Sequence, residues 1–207
     1  RIGGLDLDSG ITFSVDATNG ASRRLTVSID ISGPFTENIL ELRFPRWVPG
    51  SYFIREPIQH MSELSATIDG ENSKITRVDV DGAKLSGVQG AKSVSISYRL
   101  LAAEMTCRAN HLDSTHVHIM PPYTWMLPTR GIDKNRIEMD HKVILKSPSD
   151  WHTATQLKGV EGEWVAEGRD EFLDAIMESN ANEMITFEVE GTKQHLKLWD
   201  SGGLPIP

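Results

Sequence analysis

Apolar and polar positions alternate through most of the first hundred residues. Ile11, Phe13, Val15 and Ala17 fall on one face of a period-two pattern, Leu25, Val27, Ile29 and Ile31 repeat it, and so do Leu40, Leu42 and Phe44. Successive side chains of a strand point to opposite faces, so each segment reads as a strand buried on one side and wet on the other. Leu64, Ala66 and Ile68 lead into Asp69-Gly70, Ile75 to Val80 lead into Asp81-Gly82, and a further segment carries Val94, Ile96, Tyr98 and Leu100 on one face. Asp-Gly supplies the positive φ of tight hairpins, which places a turn at each pair. Later strands are predicted at Ile137 to Leu145, around Trp164, at Ile185 to Val189 and at Leu196 to Leu198. Helical spacing is confined to Phe172, Leu173, Ile176 and Met177, in a segment of about two turns that begins near Arg169. The pattern predicts an all-β chain: an antiparallel β-sandwich of many short strands with one short helix near the C-terminus.

A length of 207 residues suits one such sandwich over residues 11–200, preceded by a lead-in over 1–10. Ser201 to Pro207 is turn-and-linker chemistry, expected to start a linker toward a domain outside this chain. The net charge of −8, with scattered Lys and Arg, repels phosphate backbones and argues against nucleic acid. No run approaches the roughly eighteen apolar residues of a membrane span. Cys107 is the single cysteine, which excludes an internal disulfide and a Cys-rich metal site. Nothing in the composition selects a compartment.

The segment from Phe44 to Glu56 breaks the alternation. Pro45 and Pro49 fix φ and remove two donors, and Pro49-Gly50 is a turn signal between two aromatic-rich pieces. The expectation from chemistry is a rigid corner, with Trp47 and Tyr52 packing into or against the sandwich and Arg55-Glu56 forming a charged exit. This run, Trp47-Val48-Pro49-Gly50-Ser51-Tyr52 followed by Arg55-Glu56, resembles the signature near the start of the glycyl aminopeptidase-like zinc metallopeptidases, metallopeptidase family sixty-one. Val94 to Leu100, Cys107 to Asp113, Asp170 to Glu178, and Phe187 to Gly191 followed by His195 resemble later pieces of that family in the same order. The resemblance covers most of residues 11 to 200. It makes Trp47, Pro49, Gly50, Ser51, Tyr52, Arg55 and Glu56 the signature residues, in a structural or cleft-lining role.

That resemblance implies a β-rich N-terminal domain ahead of a helical catalytic domain, which holds zinc through His-Glu-x-x-His and a downstream Glu. Two histidines four apart on a helix bind the metal, and the Glu between them activates water. His60, His111, His116, His118, His141, His152 and His195 are followed by Met, Leu, Val, Ile, Lys, Thr and Leu, so none begins the motif. No Gly-x-Ser-x-Gly elbow is present either. The resemblance therefore implies a non-catalytic domain with no cofactor of its own and zinc in the parent's catalytic domain. Its partners would be that domain of the same polypeptide and the peptide substrate. An apolar patch is expected where the catalytic domain would sit.

His116-Val117-His118 offers an alternative chemistry. Residues two apart on a strand share a face, so both imidazoles can reach one ion, with His111 and Asp113 near enough in sequence to join after a turn. The preferred reading is a partly exposed pair on an edge strand with no metal. The acidic group Glu161, Glu163, Glu167, Asp170 and Glu171 reads as a solvated rim. A different class of function is a stand-alone binding module for peptide or carbohydrate, using Trp125, Trp151 or Trp164 as exposed platforms.

Overall fold

A computed structural model describes residues 9–48 and 50–199. Most of the lead-in, Pro49 and the expected linker at 201–207 lie outside the described residues. In chain order the strands are β1 (Ile11–Asp16), β2 (Arg24–Ser32), β3 (Ile39–Arg43), β4 (Met61–Ile68), β5 (Glu71–Ser73), β6 (Ile75–Arg77), β7 (Gly82–Ser86), β8 (Ser93–Leu101) and β9 (His111–Leu112). They continue with β10 (His116–Ile119), β11 (Leu127–Arg130), β12 (His141–Lys146), β13 (His152–Ala154), β14 (Lys158–Val160), β15 (Glu163–Ala166), β16 (Met177–Asn180), β17 (Ile185–Val189) and β18 (Thr192–Leu196). The helices are α1 (Pro121–Thr124) and α2 (Gly168–Asp174).

An eight-stranded sheet runs β14-β15-β12-β1-β2-β8-β4-β5, and two four-stranded sheets run β11-β3-β7-β6 and β13-β16-β10-β9. The alternating apolar positions explain the layering. Phe13, Val27, Ile29, Ile96 and Tyr98 from the large sheet join Leu40, Leu42 and Leu85 from one small sheet and Leu112, Val117 and Ile119 from the other in a single buried cluster. Full burial of each Leu or Ile contributes roughly 1.5–3 kcal/mol, so the inward faces decide which side of every strand is wet. Aromatic contacts tie the layers: Phe13 stands edge-on to Trp125 at 5.7 Å between ring centres, and Phe44 to Tyr98 at 5.8 Å.

The strands read from alternation at Ile11, Leu25, Leu40 and Val94 are present. So is the Asp69-Gly70 hairpin: φ is 49° and 86° at the two residues, and Ile68 pairs with Glu71 across them. This is the type I′ pattern. Asp81-Gly82 differs, because the Val78 N–H donates to the Gly82 carbonyl at 3.0 Å and closes a wider turn. Four boundaries also shift. The strand begun at Ile75 ends at Arg77, and residues 134–138 form a 3-10 helix ahead of β12. β18 ends at Leu196, and α2 stops at Asp174, so Met177 is buried from a strand. The pairing of β1 with β12 is parallel, a departure from an all-antiparallel sandwich that the long crossover between them permits.

Candidate functional site

Two features stand out, and the first is the corner after β3. The Ser51 N–H donates to the Val48 carbonyl at 3.0 Å, closing a four-residue turn, and Gly50 at its third position has φ of 72°, which glycine adopts freely. The Arg55 N–H then donates to the Arg46 carbonyl at 2.9 Å, closing the loop onto its own stem. The stem is held by charge: Arg43 meets Asp81 at 2.6 Å and Asp79 at 2.7 Å, and Arg46 also bonds Asp81. Asp81 is buried, so both guanidinium groups converge on one carboxylate beneath the corner.

Val48 is the residue that plugs inward, packing with Ala109, Met120 and Tyr123 in a small separate cluster. Trp47, Tyr52 and Phe53 point the other way, at 57%, 95% and 70% exposure, with Ile54 also exposed. The expected burial of Trp47 and Tyr52 is thereby corrected. Ring stacking inward would require the place that Val48 takes, and the tight turn sends the neighbouring side chains outward. Arg55 lies half-buried with its guanidinium 5.8 Å from the Phe53 ring centre and 3.3 Å from the Ser51 hydroxyl. Glu56 is exposed and its carbonyl accepts from the Gln59 N–H at 3.1 Å.

The second feature is the outward face of the sheet β13-β16-β10-β9. The β9–β10 hairpin buries Leu112 and Val117 in the core and turns His111, His116 and His118 to its other side, as strand alternation requires. β10 lies between β9 and β16, so it is not an edge strand, and His116 is buried. The expected edge position is corrected, and so is the expected exposure for His116, while His118 is half-buried. Register brings Glu178 opposite His118, and its two carboxylate oxygens lie 2.5 Å from His116 Nε2 and 2.9 Å from His118 Nδ1. Burial pushes the Glu178 carboxyl up, but the bonds to His116 and His118 outweigh this and hold it below its ordinary range. Glu178 was not singled out by sequence, because its place beside the histidines comes from pairing across 60 positions.

Asp113 is fixed by its own turn. Its Oδ1 accepts from the Thr115 N–H at 2.7 Å, the Thr115 hydroxyl at 2.8 Å and the His116 N–H at 3.0 Å, leaving Oδ2 at 3.1 Å from His111 Nε2. Burial raises this carboxyl, and the bonds from Thr115 and His111 bring it down to about 2. Trp199 covers the face, stacked on His116 at 4.1 Å between ring centres and donating from Nε1 to the Thr115 hydroxyl at 3.0 Å. Elsewhere, Trp125, Trp151 and Trp164 are buried core residues, which removes the platforms proposed for a binding module. Of the acidic group, Glu161, Glu163, Glu167 and Asp170 are exposed and Glu171 is half-buried, in keeping with a solvated rim.

The fold has solved relatives. An aminopeptidase N family protein from Idiomarina loihiensis superimposes with a TM-score of 0.79 at 20% identity, over 89% of this chain and 32% of its own. An M1 zinc metallopeptidase from Deinococcus radiodurans gives 0.50 at 9% identity over 97% and 51%. Legionella pneumophila aminopeptidase A gives 0.51 at 8% identity over 89% and 23%. The chain thus spans about a third of the length of the Idiomarina relative. Among curated protein sequences no relative matches. The family model described as the Peptidase M61 N-terminal domain matches residues 12–178, and the chain belongs to that family.

Proposed function

We propose that this chain is the non-catalytic β domain of a zinc-dependent aminopeptidase, packing on the catalytic domain and helping to shape its peptide-binding cleft. The observation that carries the reading is the membership of an N-terminal domain family by a chain whose seven histidines include no His-Glu-x-x-His. The water-activating Glu and the paired ligands of that motif must then come from another part of the polypeptide. No helix among the described residues is long and apolar enough to cross a membrane. The corner supplies the surface: a turn braced by Arg43, Arg46 and Asp81 that presents Trp47, Tyr52, Phe53 and Ile54 outward. A contiguous exposed apolar group on a rigid support is the usual mark of a contact site.

Hydrolysis of glycyl and alanyl p-nitroanilides tests the reading. The 207-residue chain should be inactive with or without zinc, whereas the whole enzyme should be active. Tyr52→Ala and Phe53→Ala in the whole enzyme should raise KM for peptides several-fold with kcat largely kept. Zinc-dependent turnover by this chain that disappears in His116→Ala contradicts the proposal.

A further inference from the structure

The histidine face carries chemistry that the aminopeptidase reading does not use. His111, His116 and His118 are each bonded through one ring nitrogen to a carboxylate: His111 Nε2 to Asp113, and His116 Nε2 and His118 Nδ1 to Glu178. The other nitrogen of each ring, Nδ1 of His111, Nδ1 of His116 and Nε2 of His118, is buried without a partner among the described residues. A buried ring nitrogen with no bond forfeits about 1–3 kcal/mol of solvation. For His116, with Glu178 holding Nε2 and Nδ1 left bare, this matches the carboxylate–histidine–metal arrangement, in which the carboxylate orients the ring and raises its basicity.

The donors are also near one another. One ligand atom each from His111, Asp113 and His116 lie within 4.8 Å of one another, and an ion shared by His111 and Asp113 would take the place of the hydrogen bond between His111 Nε2 and Asp113 Oδ2. A tetrahedral ion at ~2.0–2.2 Å from nitrogen and oxygen needs its donors roughly 3.3 Å apart, a contraction within reach of small side-chain rotations. The rings of His111 and His116 lie stacked, 5.1 Å apart between centres with 29° between their planes. A cavity of about 210 Å³ opens beside them, lined by Met105, Thr106, Cys107, His111, His116 and His118, and gives an ion a way in. Two nitrogens and a carboxylate oxygen select zinc-class divalent transition metals over calcium or magnesium, which prefer all-oxygen shells.

We propose that His111, Asp113 and His116 form a binding site for one zinc-class divalent ion on the outer face of the β9–β10 hairpin, with Glu178 orienting His116 and His118. The site is separate from the zinc expected in the catalytic domain and holds whether or not that domain exists.

Isothermal titration of the chelator-stripped chain with zinc chloride, and visible absorption with cobalt(II), test this directly. One ion should bind per chain, and cobalt(II) should give the intense bands of tetrahedral coordination. Asp113→Asn keeps the Oδ1 acceptor for Thr115 and His116 but loses a ligand oxygen, and should weaken binding at least about tenfold. Glu178→Gln should weaken it by about 10- to 100-fold. His195→Ala, whose ring bonds Thr186 on the exposed β17–β18 hairpin, should bind as the parent does. Circular dichroism of each variant separates lost binding from lost folding, and where His116→Ala fails to fold, Asp113→Asn decides. Absence of stoichiometric binding, or affinity unchanged in Asp113→Asn, overturns the proposal.

Discussion

The Tyr98 hydroxyl donates to the Thr124 carbonyl at 2.7 Å and accepts from the Met126 N–H at 3.1 Å, pinning the turn after α1 to the centre of the large sheet. Burial pushes this phenol far above its ordinary range, so it remains a donor at every accessible pH. Tyr98→Phe keeps the ring and strands a buried carbonyl and a buried N–H. A loss of about 1–3 kcal/mol is expected from denaturant titration. A loss below about 0.5 kcal/mol would show that water replaces the hydroxyl.

His141 sets a pH dependence independent of the histidine face. It is fully buried between Phe13 and Phe172, at 5.4 and 5.5 Å between ring centres, and its Nε2–H donates to the Ile137 carbonyl at 2.9 Å. Burial lowers its pKa from the ordinary 6.5, so the ring stays neutral in the fold while the unfolded chain takes up a proton. Stability from this group is fully present above about pH 6.5 and declines as pH falls below that value. The melting temperature should therefore fall between pH 7 and pH 5.5. In His141→Leu that slope should flatten, although the variant is less stable at pH 7 for want of the Ile137 bond. An unchanged slope in His141→Leu would falsify the assignment.

The alternation at Ile11, Leu25, Leu40 and Val94 was legible because a strand between core and solvent leaves a period of two in the sequence. Asp69-Gly70 was legible because its turn is local. The strands β9, β13 and β14 are two or three residues long, too short to show a period, and Glu178 reaches His118 only through sheet register. Trp47 misled for a different reason. A large aromatic beside two prolines suggests burial, yet the side on which a ring falls depends on which neighbour fills the cavity, and here that is Val48. Trp125 misled in the opposite sense: it lies in the core against Phe13 and Phe172.

Asp81 should carry more stability than its neighbour Asp79. It is buried and bonds both Arg43 and Arg46, while Asp79 is more exposed, reaches Arg43 alone of the two guanidinium groups and accepts from the Asp81 N–H at 3.1 Å. Asp81→Ala should cost about 2–3 kcal/mol, the range for charge-assisted bonds, and should loosen the Arg46 end of the corner. Asp79→Ala should cost less, and its effect should shrink in high salt. Equal losses from the two substitutions would mean that burial of Asp81 adds nothing.

At the corner, stability and surface role separate by residue. Trp47→Ala and Tyr52→Ala remove rings that are mostly in water, so each should change the stability of this chain by no more than about 0.5 kcal/mol. Val48→Ala deletes two buried methyl groups and should cost roughly 1.5–3 kcal/mol. Among the described residues, and apart from its chain neighbours, Gly50→Val meets no atom within 4 Å of its new Cβ, so its cost comes from the backbone. A β-branched residue held at φ of 72° should lose about 1–2 kcal/mol. Thermal melts of the four variants give an order that buried rings could not produce: Val48 and Gly50 sensitive, Trp47 and Tyr52 indifferent. A loss of 3 kcal/mol or so in Trp47→Ala would return the corner to the core and remove the surface on which the cleft proposal stands.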